Sequence, residues 1–387
     1  MSAVTMKKMA EGTGKMHHDQ RPALPDPLVI SSGERVTSPG MWTRKRRPEL
    51  LELFRANIYG RAPVGRPADL RLEVTSLTPG MMGGRATRKQ VALTYEGPGG
   101  KGRMDLLLFV PTSGAKAKRP APTFLFLCNR SPENIDPTRE RKSAFWPAEQ
   151  IIARGYAAAT FYLPQVAPDR HDGFKNGVHA IFDGRRRSND SWGTIAAWAW
   201  GASRAMDYLG TDPNIDARRV AVVGHSRGGK AALWAGAQDE RFWLVVSNNS
   251  GSTGAAVARG KKGETIALIN KNFPHWFCEN YKRYGGRESE LPIDQHDLIA
   301  LIAPRLAYVA SASEDDWADP ASEFLSCVKA EPVFRLLGRK GLGVQEMPGA
   351  QKPLHAGSIG YHLRTGRHDL RLYDWNRFMD FADRHLH

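Results

Sequence analysis

Residues 218–242, "RRVAVVGHSRGGKAALWAGAQDERF", join an apolar run to an alanine-rich segment through a glycine-flanked serine. Val220 to Val223 form a continuous apolar run, as expected of a strand covered on both faces. The run stops at Gly224, and a Gly-His-Ser-Arg-Gly turn leads into an alanine-rich segment that reads as a helix. Glycines on either side of a serine let the backbone turn sharply without Cβ clashes and lift the hydroxyl clear of a sheet. The pattern G-x-S-x-G between a strand and a helix is therefore the setting of a nucleophile. Without partners for Ser226 it would be an ordinary connection in an α/β protein.

Working outward, the segments alternate. Upstream, "RRPELLELFRANIYG" places Leu50, Leu51, Leu53, Phe54 and Ile58 on one helical face. Three strand-like segments follow, "LRLEVTSL", "RKQVALTYEG" and "RMDLLLFVPT", whose alternation suits antiparallel strands at a sheet edge. "APTFLFLCN" is a buried strand, "AEQIIARGY" a helix, "AAATFYLP" a strand and "WGTIAAWAWGASRAMDYLG" a long amphipathic helix. Beyond the serine turn, "FWLVVSNNSG" and "PRLAYVASASEDD" read as strands and "RLYDWNRFMDFADRHL" as a closing helix. An antiparallel start followed by β-α-β alternation implies one mostly parallel sheet with helices on both faces, an α/β three-layer sandwich. Residues 1–24 read as a flexible tail and 25–387 as one catalytic domain.

A serine hydroxyl needs a base, and the base needs an orienting acid. Three histidines follow the later strands, apart from the terminal tail: His355, His362 and His368. His368 stands in the polar, glycine-containing "RTGRHDLRLYDW" just before the closing helix and is the first choice. His362 reads as strand, and His355 is the reserve. "LAYVASASEDDWADP" supplies Glu314, Asp315, Asp316 and Asp319 after an apolar strand, whereas the preceding strand ends at Asn248 and Asn249 without a carboxylate. Asp315 is the first choice for the acid and Asp316 the second.

Composition narrows the function classes. The chain of 387 residues has 41% hydrophobic content and 10 tryptophans, as a folded globular protein does. The net charge of +15 is carried by short scattered groups, Arg44 to Arg47, Lys116 to Arg119, Arg139 to Lys142, Arg185 to Arg187, and Lys261 with Lys262. None lies in a nucleic-acid-binding motif, and the same field would attract an acidic polysaccharide. No nucleic-acid or membrane partner is expected, since no apolar run approaches the roughly 18 residues that span a bilayer. Cys128, Cys278 and Cys327 have no ligand-like spacing, His17 and His18 read as tail residues, and no HExxH occurs, so no metal or other cofactor is expected. The N-terminal segment has no apolar core of a signal peptide, which leaves the compartment open.

Several separated segments together resemble one family. "VVGHSRGGKAALWAGAQDERF", "FPHWFCENY", "LPIDQHDLIALIAPR", "SASEDDWADP" and "GRHDLRLYDW" are similar to the glucuronoyl esterases, carbohydrate esterase family 15. The likeness reaches back through "WGTIAAWAWGASRAMDYL" and "PDRHDGFKNGVHAIF" to "LPDPL". The resemblance implies the α/β-hydrolase fold, no metal, and cleavage of esters joining glucuronate or 4-O-methylglucuronate on xylan to alcohols of lignin. It implies Ser226 as nucleophile, His368 as base and Arg227 as an oxyanion donor. Lys230, Glu264 and Trp317 match positions that contact the sugar. Fungal members carry a glutamate near Asn249, whereas this chain resembles bacterial members with the acid on the later loop, which adds weight to Asp315. The family is exported, so the resemblance implies a secreted or periplasmic enzyme, and a monomer is expected. Competing readings are another carbohydrate esterase, acting on acetyl or feruloyl groups, and a non-catalytic carbohydrate-binding protein. Both cations beside Ser226 are expected to line a solvent-accessible cleft, with neither needed by the fold.

Overall fold

A computed structural model describes residues 22–112 and 120–386. The expected tail, including His17 and His18, falls mainly outside them, as does the whole basic group Lys116 to Arg119. The strands are β1 (Arg71–Gly80), β2 (Ala86–Gly97), β3 (Gly100–Pro111), β4 (Ala121–Cys128), β5 (Ala157–Tyr162), β6 (Ile215–His225), β7 (Phe242–Asn248), β8 (Leu306–Ala312) and β9 (Ile359–Arg364). They form one sheet in the order β1-β2-β3-β5-β4-β6-β7-β8-β9. The pairings β1/β2, β2/β3 and β3/β5 are antiparallel, and every pairing from β5 to β9 is parallel.

The apolar runs are continuous because the parallel strands are covered on both faces. Leu125, Leu127, Val220, Val222 and Val309 point into one core with Trp198, Ala231, Trp234 and Phe324. Their neighbours Phe124, Phe126, Ala221, Val223 and Tyr308 point into the other with Ile151, Trp375, Phe378 and Met379. The first core is capped by α2 (Thr194–Leu209), α3 (Arg227–Gln238) and α4 (Pro320–Leu336), and the second by α1 (Ala148–Ala153) and α5 (Leu372–Arg384). This is the α/β sandwich that the alternation implies.

Two elements differ from the expectation. The upstream helical stretch starts earlier, at Pro39, where the Ser38 side chain accepts from Met41 N, and runs to Tyr59 through two π-helical turns. Helix α4 has no counterpart in the sequence reading. It buries residues on nearly every side and carries Pro332 inside it, so it shows neither an apolar stripe nor an uninterrupted helical run. Cys128, Cys278 and Cys327 are all buried free thiols. No helix of the described residues is long and apolar enough to cross a membrane.

The parallel strands deliver their carboxyl ends to one edge of the molecule. In open α/β sheets that edge is where ligands bind. The loops after β5, β6, β7, β8 and β9 meet there.

Candidate active site

Ser226 sits between β6 and α3 with φ 55° and ψ −125°, a conformation costly for a residue with a Cβ. Its N–H donates to Asn248 O at 2.9 Å, which ties the turn to the end of β7. A Cβ on Gly224 would lie 1.9 Å from Gly228 O, so only glycine lets the strand end and the helix start touch. Ser226 and Arg227 remain half-buried, while Gly228, Gly229 and Lys230 are buried. The turn thus holds its serine at the surface of the sheet edge.

His368 and Asp315 meet across the loops after β9 and β8. Nδ1 of His368 and Oδ2 of Asp315 are 2.6 Å apart. Asp315 is 4% exposed, and its Oδ2 also accepts from Asn249 Nδ2 at 2.9 Å. Burial alone would raise the Asp315 pKa, but hydrogen bonds from His368 and Asn249 and the nearby imidazole hold it below the usual carboxylate range. The His368 side chain is 41% exposed. Its ring lies 4.6 Å, centroid to centroid, from that of His225, the residue before the serine. His225 itself is buried against Asn248 Oδ1 at 2.6 Å, and burial pushes its pKa well down.

The other candidates lie elsewhere. His362 is buried between Tyr308 and Asp374, and His355 accepts from or donates to the same Tyr308 hydroxyl at 2.8 Å. Burial lowers the pKa of both, that of His355 to about 4. Asp316 and Glu314 are exposed, and Asp319 caps α4 by accepting from Ser322 N. Asn249, noted in the sequence only for lacking a carboxylate, is a buried donor to Asp315 held at φ 45°.

On the other side of β6, the loop after β5 brings Asp169 to Arg227. The Arg227 Nε and Asp169 Oδ2 are 2.9 Å apart. Asp169 Oδ1 accepts from Trp276 Nε1 at 2.8 Å and lies 3.2 Å from His275 Nε2. Burial would raise its pKa, but His275, Arg227 and Trp276 outweigh that and lower it. The sequence signal was present, since Asp169 lies in "PDRHDGFKNGVHAIF" and His275 and Trp276 in "FPHWFCENY". No local pattern joins two such segments to the serine turn.

Lys230 corrects one expectation. It is 3% exposed and lines no open cleft. Its Nζ donates to Ser250 O at 2.6 Å and to Ser252 O, tying the loop after β7 to α3. Burial lowers its pKa to about 8. Glu264, also buried, stands 3.9 Å away through Oε2. Trp317 is 51% exposed, and its backbone oxygen accepts from Glu264 N at 3.1 Å and from Lys261 Nζ at 2.9 Å. Gly263, at φ +68°, allows this approach, because a Cβ there would lie 2.6 Å from both Asp316 O and Trp317 O. Among the described residues no group of three or more His, Cys, Asp or Glu could hold a metal ion.

Known proteins resemble this chain along most of its length. The family model described as "Glucuronyl esterase, fungi" matches residues 144–338. The chain is 42% identical to "Carbohydrate esterase MZ0003" from an unknown prokaryotic organism, over 94% of this chain and 89% of that protein. It is 29% identical to 4-O-methyl-glucuronoyl methylesterase 1 of Phanerochaete chrysosporium, over 82% of this chain and 62% of that one. The solved glucuronoyl esterase from Solibacter usitatus superposes with a TM-score of 0.88 at 42% identity, covering 95% of this chain and 100% of that chain. A family 15 glucuronoyl esterase from Teredinibacter turnerae gives 0.85 at 29% identity, covering 98% and 95%. With a serine turn on an α/β sheet and such relatives along nearly its whole length, the chain belongs to carbohydrate esterase family 15, the glucuronoyl esterases, and is a carboxylic ester hydrolase.

Proposed function

We propose that this esterase cleaves esters between (4-O-methyl-)glucuronate on xylan and alcohols of lignin, through a Ser226–His368–Asp315 triad and an acyl-enzyme. The observation that carries this reading is the His368–Asp315 pair at 2.6 Å beside the serine turn. Asp315 holds Nδ1 of the imidazole, which leaves the exposed side of the ring to take the proton of Ser226. Ser226 Oγ then attacks the ester carbonyl, and His368 returns the proton to the departing alcohol. Water, activated by the same imidazole, releases the uronic acid and restores the serine.

Arg227 is the donor to the carbonyl oxygen as it becomes an oxyanion. Its Nε stands 2.9 Å from Asp169 Oδ2 as an ion pair without hydrogen-bond alignment, and the two terminal nitrogens are the ones offered to the oxyanion. As the first residue of α3 its N–H has no acceptor within the helix, and the helix N-terminus favours negative charge. Donors placed where charge develops are worth more than those that only bind the ground state. Trp317 offers an exposed ring to the sugar; Glu264 donates its N–H to Trp317 O and stands 3.9 Å from Lys230 Nζ.

The test compares turnover of benzyl glucuronate with that of p-nitrophenyl acetate. A glucuronoyl esterase prefers the first by a large factor in kcat/KM. Comparable turnover of both, or activity on the acetate alone, points to a different ester and ends this reading. Retention of activity by a folded Ser226→Ala protein would remove the serine mechanism itself.

A further inference from the structure

The reaction makes a charge where there was none. The ester is neutral at its carbonyl carbon. In the last step water adds to that carbon, the bond to Ser226 Oγ breaks, Oγ regains a proton and the uronic acid leaves ionised, its proton passing to solvent. The product carboxylate therefore forms against the donor that stabilised the oxyanion. An uncompensated guanidinium there would hold the product as strongly as it helps the reaction.

Arg227 is not uncompensated. Asp169 Oδ2 meets its Nε at 2.9 Å, and Asp169 is itself fixed by Trp276 Nε1 at 2.8 Å and by His275 at 3.2 Å. His275 and Trp276 are buried, so this frame is built from the core outward. The guanidinium carbon also lies 5.7 Å from the centre of the Trp276 ring, which packs the arginine against the same frame. We propose that Asp169 is a positioning residue with a second role: it cancels the net charge at Arg227, so that the site keeps directed donors for the oxyanion and does not trap the glucuronate product.

The two effects separate physically. A hydrogen bond to the oxyanion depends on where the terminal nitrogens point, and Asp169 fixes that direction. Attraction of a free carboxylate depends on net charge over several ångströms, and Asp169 removes it. The lowered pKa of Asp169, set by His275, Arg227 and Trp276 against burial, keeps the carboxylate ionised through neutral pH.

This inference rests on the reading of Arg227 as the oxyanion donor, and the experiment separates the two. Product inhibition by glucuronate is measured against hydrolysis of benzyl glucuronate. In Asp169→Asn the inhibition constant should fall about five- to tenfold, as expected for one unscreened charge near the ligand, while KM for the neutral ester moves less than about twofold. Asp169→Glu keeps the charge and should hold the inhibition constant within about twofold of the parent, whatever happens to kcat. Arg227→Gln combined with Asp169→Asn should lose the tightening, because the charge that attracts product is gone. In the unaltered enzyme, where folding is not in question, glucuronate and the neutral glucuronamide should inhibit within about threefold of each other. Glucuronate binding tenfold tighter than the amide, or no tightening in folded Asp169→Asn, overturns the proposal. If Arg227→Gln leaves kcat unchanged, the oxyanion reading fails first and this proposal falls with it.

Discussion

Two aspartate–histidine pairs flank the serine, one on each side of β6. Asp315 and His368 come from the loops after β8 and β9, and Asp169 and His275 lie on the side of β5. Both carboxylates are held below the usual range by their partners. The imidazoles differ. The His368 side chain is 41% exposed and that of His275 is 5% exposed. A buried ring can hold a carboxylate in place, but it has no path to a proton on substrate. The exposed ring has one. In the proposed mechanism the same two residue types serve as a proton carrier on one side and as a brace for Arg227 on the other, and exposure rather than residue type makes the difference.

Removing the two imidazoles breaks the symmetry most sharply. His368→Ala should lower kcat by about 10⁴-fold or more, since triad members act as a unit, and Asp315→Ala should follow it closely. His275→Ala should cost about tenfold, the worth of one hydrogen bond acting through Asp169. Steady-state kinetics on benzyl glucuronate read both. Similar losses from His368→Ala and His275→Ala would erase the distinction.

The next effect in size concerns Arg227. Arg227→Ala should lower kcat by about 10²–10³-fold with a smaller change in KM, because the oxyanion exists only after attack. Its folding stability should stay within about 1 kcal/mol of the parent, as for other half-exposed side chains. A change confined to KM would make Arg227 a ground-state binding residue.

Three residues along the same helix, the expectation reverses. Lys230→Ala leaves two buried carbonyls, Ser250 O and Ser252 O, without their donor and should destabilise the fold by about 2–4 kcal/mol. Denaturant midpoints of the two variants make the comparison. Equal midpoints for Arg227→Ala and Lys230→Ala would restore the view that both merely line the cleft.

Glu323, which holds the same loop, contributes through pH, and its effect vanishes in acid. Its Oε1 accepts from Gly251 N at 2.8 Å and its Oε2 from Ser311 Oγ at 2.6 Å. Burial raises its pKa from 4.5 to about 7, with the hydrogen bonds only partly offsetting this. Between those values the folded state binds more protons than the unfolded one, so this residue's contribution to stability falls as pH rises from 4.5 to about 7. Glu323→Gln keeps an acceptor for Gly251 N, offers a donor toward Ser311 Oγ as the protonated acid does, and cannot ionise. It should be more stable than the parent by about 3 kcal/mol at pH 8 and nearly equal to it at pH 4.5. A stability difference that does not change with pH would show that Glu323 is not the titrating group.

Much of this was legible in the chain. The runs of β4 and β6 announce strands buried on both faces, and the turn from Gly224 to Gly228 announces the serine. His368 and Asp315 were reachable because each follows a recognisable strand and the serine limits what must come next. The residues alone left Asp316 as second choice, because a loop can turn either neighbour inward, and the family resemblance added the weight to Asp315. Lys230 lies one helical turn after Ser226, but the carbonyls that cover it come from a loop some 20 residues further on. Asp169 was hidden for the same reason, since its partners lie on two distant segments. Helix α4 was hidden because burial all round removes the periodicity that marks a helix.

The central claim is that the exposed pair, and not the buried one, drives Ser226. A fluorophosphonate probe tests it directly, with labelling rates followed by mass spectrometry of the peptide that contains Ser226. Ser226 should be modified, labelling should be lost in folded His368→Ala, and His275→Ala should label within about tenfold of the parent rate. Labelling at another residue, or equal loss in both histidine variants, would contradict it.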